Sequence, residues 1–269
     1  MTVPTRAGSD ETVRSGSCPC GATFEQRALL FEGRALFATP SRCPACLRAQ
    51  AEREEARERE RRAVAEAATR AARLAELAVP PLYTEVSLDA FRLHGDRAAQ
   101  ARQATALRIA RRYVAAWPQV EVLLLFQGGP GTGKGHLAWS LAKAVVSEHG
   151  GSARVVKLAR LIRDLREPWR SKEGAGEERR LRAYRVPDLL VIDEVSRHAF
   201  YGQSVQQHLY DVLDDRLEHQ RPTILTTNET DAGIAEILGP ALLDRLQGSG
   251  GVVRFGDASW RTRPLEATA

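Results

Sequence analysis

The stretch from Glu121 to Ala138 constrains this chain more than any other. Residues 122–126 (Val-Leu-Leu-Leu-Phe) are apolar without interruption and read as a strand buried on both faces. The run stops at Gln127 and meets Gly128-Gly-Pro-Gly-Thr-Gly-Lys134. A helical pattern follows, with Leu137, Ala138, Leu141 and Val145 on one face. Strand, glycine-rich loop with lysine, then helix is the order that makes a phosphate cradle. Backbone N–H groups of the loop point inward, and the positive end of the helix favours an anion. Lys134 reaches the β- and γ-phosphates as a point charge. Gly128, Gly129, Pro130, Gly131, Thr132, Gly133, Lys134, Gly135 and His136 are therefore the candidate nucleotide-binding residues. One position departs from the pattern. A Ser or Thr for Mg²⁺ is expected after the lysine, and Gly135 stands there. The bland alternative is a tight Gly/Pro turn between a strand and a helix.

At 269 residues the chain can hold one sizeable core and a small appendage. A formal charge of +5 admits a nucleic-acid partner without requiring one. No apolar run approaches membrane-spanning length, and no apolar signal core opens the chain, so a soluble cytoplasmic protein is the expectation. The four cysteines, Cys18, Cys20, Cys43 and Cys46, all lie in the first fifth of the chain. Two close pairs about twenty residues apart can set four thiolates tetrahedrally around Zn²⁺. Free thiols or disulfides are the alternatives. Four thiolates leave no open position, so such a zinc is structural. The chain between the pairs, Ala28–Phe37, reads as a short hairpin covering the metal.

The expected organisation is a disordered tail over 1–16, a zinc module over 17–47 and a helical connector over 48–79. A nucleotide-binding domain over 80–263 and a tail over 264–269 complete it. The connector (Leu47–Leu77) is rich in Ala, Glu and Arg, and free of Gly and Pro, which suits one long exposed helix. It is a solvated connector or a helix that docks a partner. Asp96 caps a helix over 97–116. Residues 153–158 read as a second buried strand and 158–165 as a helix. The chain from Lys157 to Arg185 is basic, with Lys157, Arg160, Arg163, Arg166 and Arg170 leading, and Trp169 and Tyr184 interleaved. Such a mixture suits single-stranded nucleic acid, or else a solvated helical face partly balanced by glutamates.

Asp188-Leu-Leu-Val-Ile-Asp-Glu194 is an apolar strand ending in two acids. Ligands sit at that end of strands in open α/β sheets. Asp193 would hold Mg²⁺ and Glu194 would activate the attacking water. Arg221–Asn228 is a further strand, and Asn228 reaches the water or the γ-phosphate, or is an ordinary cap. Thr230 opens a short helix through Ile237, and Pro240 opens another over 241–246. Residues 251–255 form the last strand.

These residues resemble a known family. Gly128–Ala138, Asp188–Glu194, Thr226-Thr-Asn228, Leu242–Leu246 and the lead-in Val79-Pro-Pro…Phe91 are similar to the DnaC/DnaI-type replicative helicase loaders. These are AAA+ ATPases, and the resemblance covers residues 79–263. The cysteine module ahead of it is closer in arrangement to the DnaI-type and phage-encoded loaders. The resemblance implies an α/β P-loop fold: five parallel strands, helices on both faces and little or no lid. It implies ATP and Mg²⁺ as cofactors, with Zn²⁺ in the amino-terminal module. Lys134, Asp193, Glu194 and Asn228 become catalytic. Arg245 matches the arginine finger that completes a neighbouring subunit's site, so self-assembly is implied. Such a finger contributes roughly 10³–10⁵ in rate. Arg261 sits where the family often has a terminal arginine. The implied partners are a replicative DnaB-type helicase and single-stranded DNA, gripped by the basic segment, with no membrane. Gly135 points to weakened Mg²⁺ ligation and slow turnover. The related IstB-type transposition helpers share the core, and a nucleotide-binding module without useful hydrolysis is a third reading.

Overall fold

The computed structural model describes residues 11–31, 34–37, 42–166, 175–197 and 203–262. The chain divides into two compact units, Met1–Ala67 and Ala68–Ala269.

The first unit carries strands β1 (Glu11–Ser17), β2 (Thr23–Phe31) and β3 (Arg34–Phe37), paired antiparallel in that order. The expected tail over 1–16 is thus corrected from residue 11 onward. β1 is mostly polar and shows no hydrophobic period; its partner strand, not its own sequence, makes it a strand. The β1–β2 turn contains the first cysteine pair, closed by Cys18 N–H to Ala22 O at 2.8 Å and Gly21 N–H to Cys18 O at 2.9 Å. β2 and β3 form the hairpin expected over 28–37; the expected cover over the cysteines rests on side chains outside the described residues.

Helix α1 (Pro44–Leu77) begins earlier than the sequence suggests, because proline suits a first helical position, and so it takes Cys46 into its first turn. Every residue from 51 to 72 is exposed. An i,i+4 pair, Glu58 with Arg62 at 3.1 Å, lies on this surface.

The second unit is a doubly wound sheet. Helix α2 (Arg97–Ala115) is capped as expected, the Asp96 carboxylate accepting from Ala99 N–H at 2.7 Å. Then come β4 (Leu123–Gln127), α3 (Lys134–Ser147), β5 (Ala153–Lys157), α4 (Leu158–Arg166), α5 (Ala175–Arg185) and β6 (Leu189–Asp193). Helix α6 (Gln203–Glu218), β7 (Thr223–Thr227), α7 (Asp231–Ser249) and β8 (Gly250–Arg254) complete it. The strands are parallel in the order β5-β6-β7-β4-β8, which sets the glycine-loop strand between β7 and β8. The unbroken apolar run of β4 has a simple cause. Leu124 and Phe126 pack with Ala106, Tyr113 and Leu141 of α2 and α3. Leu123 and Leu125 pack on the other face with Leu209, Val212 and Ile234 of α6 and α7. The two short helices expected over 230–246 are joined as α7, kinked where Gly239 has φ 74° and ψ 169° ahead of Pro240. Beyond β8 the described chain adds a short 3-10 turn, Trp260–Thr262.

Arg216, unremarked in the sequence, is the largest side chain fully buried in this unit, at 0% exposure. Its guanidinium donates to the carbonyls of Tyr184, Arg185, Pro187 and Pro222 and to Thr223 Oγ1, at 2.6–3.1 Å. Burial pushes its pKa down to about 9. It thereby ties the end of α5 to the starts of β6 and β7. Arg216→Met would strand several buried acceptors, and roughly 3 kcal/mol or more of stability should be lost in urea unfolding. A loss within ~0.5 kcal/mol would show that water replaces the guanidinium.

Candidate functional site

The loop joining β4 to α3 curls over the carboxyl end of the sheet. Gly131 and Gly133 have φ of 76° and 101°, a region that side chains other than glycine rarely adopt. There is no room for a side chain either. A Cβ at Gly133 would lie 2.6 Å from the Phe91 ring, and one at Gly131 2.2 Å from Ser259 Oγ. Helix α3 starts on Lys134 without a side-chain cap, so its first-turn N–H groups are left to serve an anion.

Lys134 is only 6% exposed. Its Nζ donates to the carbonyls of Gly128 and Gly129 and to Asn228 Oδ1, each at 2.7 Å. Burial pushes its pKa down to about 8, against the opposing pull of Asp193. Thr132 Oγ1 braces the loop on Gly129 O at 2.9 Å. A cavity of about 1120 Å³ opens over the loop, walled by Pro130–His136, Asp193, Glu194, Asn228 and Arg261. It is large enough for a nucleotide. His136 lines it too, but its Nε2 lies 2.8 Å from Ser87 O, so the ring is engaged by the lead-in segment.

The acids stand at the end of β6. Thr226 Oγ1, on the neighbouring strand β7, donates to Asp193 Oδ1 at 2.5 Å and accepts from Glu194 N–H at 3.0 Å. Glu194 has φ 61°, a strained value for a side-chain-bearing residue. Its carboxylate pairs with Lys157 Nζ at 2.8 Å, both groups being well exposed. Such a pair contributes about 0–1 kcal/mol and is easily exchanged.

The basic segment divides. Lys157, Arg160 and Arg163 line the same cavity as the acids. Lys157 is engaged by Glu194, and Arg160 lies 3.7 Å from Asp164. Arg166 ends α4, its side chain outside the described residues, as are Arg170 and Trp169 altogether. Tyr184, expected among the aromatics for nucleic acid, is instead 1% exposed. Its hydroxyl donates to Asp164 at 2.5 Å and its ring lies under Arg154. Packing of α5 against α4 and α6 accounts for that burial. Arg245 is brought not to this cavity but to α6, where it pairs with Asp214 at 2.5 Å.

Two features escaped the sequence. Arg254 of β8 forks onto both Asp231 oxygens at 3.0 Å, and Gln127 joins them, buttressing the sheet edge beside the loop. Tyr83 also lines the cavity. Each depends on contacts between distant segments, so no local pattern marks it.

In the first unit the four cysteine sulfurs lie within 4.8 Å of one another. Cys20 Sγ and Cys43 Sγ are 3.7 Å apart, far beyond the ~2.05 Å of a disulfide. Tetrahedral zinc with bonds of ~2.3 Å separates its sulfurs by about 3.8 Å. Backbone N–H groups of Cys20 and Cys43 hold the Cys18 thiol down to about 6, while the other cysteines push Cys46 up to about 12. The four thiols thus fit a zinc centre in number, chemistry and spacing. No helix among the described residues is long and apolar enough to cross a membrane.

A phosphate loop on β4, an inner strand between β7 and β8, with acids on β6 one strand removed across β7, defines an ATP-binding P-loop protein with the AAA+ strand order. The family described as IstB-like ATP binding protein matches residues 49–267. The replicative helicase loader DnaC of Escherichia coli strain K12 is 30% identical over 184 residues, 68% of each chain. A crystal structure of the DnaC helicase loader superposes with a TM-score of 0.56 at 22% identity, over 65% of this chain and 99% of that one. The DnaI crystal structure gives 0.54 at 19% identity, over 67% and 93%. The chain belongs to the IstB-like ATP binding protein family. The family match begins at residue 49, beyond all four cysteines.

Proposed function

We propose that this chain is an ATP-dependent loader that binds a replicative hexameric helicase and helps place it on single-stranded DNA. The reading is carried by one conjunction. A site with Lys134, Asp193, Glu194 and Asn228 on one cavity occurs in a chain 30% identical to a protein named helicase loader.

The loop and Lys134 hold the phosphates of ATP. Mg²⁺ entering with the nucleotide would supply charge neutralisation at the transferred group. Asp193, oriented by Thr226, is the carboxylate placed to hold it. Lys134 leaves Asn228 for phosphate oxygens, and the Asn228 amide then faces the attacking water. Glu194 must leave Lys157 before it can take that water's proton. Catalysis in the isolated chain is slow chiefly because no neighbouring arginine reaches the site; the exposed pair with Lys157, at about 0–1 kcal/mol, adds little. Arg245 acts on the site of a neighbouring copy once it releases Asp214. The basic residues Arg160 and Arg163, with Lys157, Arg166 and Arg170, contact single-stranded DNA. DNA phosphates would compete with Glu194 for Lys157, which couples DNA to hydrolysis. The cysteines hold a structural zinc, and that module takes the helicase.

The test is steady-state ATP turnover with and without single-stranded DNA. DNA should raise turnover in the wild type, and Glu194→Gln should lower it roughly 10²-fold or more with ATP still bound. The double change Arg160→Glu and Arg163→Glu should remove the rise with DNA. A turnover indifferent to DNA in all three proteins would contradict the proposal.

The family description makes the transposition helper the second reading. A complex with a transposase and none with a helicase would establish it instead.

A further inference from the structure

Position 135 follows the phosphate-loop lysine, and glycine leaves it without the hydroxyl that such loops place there. Yet the space beside it is filled. A Cβ on Gly135 would lie 3.0 Å from the Tyr83 hydroxyl oxygen. A phenol from the lead-in segment therefore borders the place where a Ser or Thr side chain would stand.

Tyr83 is firmly held there. It ends a short 3-10 turn, Pro81–Tyr83, set by Pro80 and Pro81. Its ring stacks on Trp139, with centroids 5.2 Å apart and planes at 20°. Lys143 Nζ fixes the following backbone, donating to Thr84 O at 2.5 Å and Val86 O at 2.8 Å. Gly135, Trp139 and Lys143 succeed one another at i, i+4 and i+8, so they form one stripe of α3. The chain from Tyr83 to Val86 runs along that stripe. Glycine at 135 is what lets it do so, because any larger residue presses on the phenol.

The hydroxyl also faces the right chemistry. Tyr83 lines the cavity shared by Lys134, Asp193 and Thr226. Burial first, and then the Asp193 charge, raise its pKa, so it stays a neutral O–H at physiological pH. A neutral phenol is a poor direct ligand for Mg²⁺, but Mg²⁺ keeps several of its waters in such sites. A hydrogen bond to one of those waters is the part a phenol can play.

We propose that Tyr83 is a positioning residue whose hydroxyl stands in for the one missing at position 135, orienting the water shell of the nucleotide's Mg²⁺ from the lead-in segment. The inference rests on the ATP-site reading above. It makes the chain just ahead of α2 part of the metal site rather than a passive connection.

The test measures metal affinity, not turnover. Mn²⁺ is titrated into the full chain with saturating ADP and free Mn²⁺ is followed by electron paramagnetic resonance. ADP affinity in EDTA is measured alongside. Tyr83→Phe keeps the stacked ring, so the fold should survive. It should weaken Mn²⁺ binding about 10–100-fold, the usual effect of losing a partner that orients a metal's ligands. ADP affinity in EDTA should stay within about twofold of wild type, since no phosphate contact is lost. Adding Gly135→Ser to Tyr83→Phe should restore Mn²⁺ binding, the serine hydroxyl taking the vacated place. Unchanged Mn²⁺ affinity in Tyr83→Phe, or a loss that Gly135→Ser does not repair, would overturn the inference alone. Failure of the wild type to bind ADP would overturn the ATP-site reading, and this inference with it.

Discussion

Lys134→Ala is expected to weaken ATP binding roughly 10²-fold or more, the sum of at least two hydrogen bonds from a charged donor to phosphate. The amine is already aimed inward, held by two loop carbonyls and Asn228 on a side chain that is almost fully buried. The same burial sets a pH signature. Its pKa is pushed down to about 8, whereas a lysine in the unfolded chain titrates near 10.4. The charged form is therefore disfavoured in the folded protein; that cost is present below about pH 8 and relieved as pH rises through it. A bound polyanion draws the pKa back up. Binding ATP should thus take up a proton above about pH 8, and affinity should fall as pH rises past that point. Calorimetry in two buffers of different ionisation heat reads the proton directly. Wild-type affinity that stays flat to about pH 9.5, or tight binding by Lys134→Ala, would show that the lysine does not meet the phosphates.

Cys43→Ser is expected to release the zinc and unfold the first unit. The four sulfurs stand within 4.8 Å, and Cys43 contacts both pairs: its sulfur lies 3.7 Å from Cys20 and accepts from the Cys46 N–H. Structural zinc supplies roughly 10–16 kcal/mol in small finger peptides. A zinc held by these four sulfurs would therefore be a large contribution to the stability of a unit whose described part is a three-stranded sheet and a solvated helix. Wild-type protein should carry about one zinc per chain by elemental analysis, since four thiolates make one closed site. The variant should carry none and lose strand signal, while ATP binding in the second unit is kept. A variant that keeps its strands without metal would refute a structural zinc.

The fold of the second unit was legible because its three inner strands, β6, β7 and β4, are buried on both faces. Residues 122–126, 189–192 and 223–227 show as apolar or β-branched runs, and the glycine loop marks which of them carries the phosphate site. The site residues Lys134, Asp193, Glu194 and Asn228 were legible because each stands at a strand's carboxyl end or at a helix start. What sequence could not show is set by tertiary contact. β1 becomes a strand only by pairing with β2. Arg216 looks like any helical arginine until five acceptors surround it. Tyr184 looks like a platform for bases until α5 turns it inward. The pairing of Lys157 with Glu194 joins residues from neighbouring strand ends, and no spacing in the sequence records it. Gly135 reads as a defect in the loop until Tyr83 is seen beside it.

The most direct test of the loader reading is a binding measurement with the full chain, zinc present, and a purified replicative hexameric helicase. Size-exclusion chromatography would be run with ATP, with ADP and without nucleotide. A complex that forms with ATP, weakens with ADP, fails with Lys134→Ala and delivers the helicase onto circular single-stranded DNA is the predicted result. No complex under any nucleotide, with a transposase bound in its place, would contradict it.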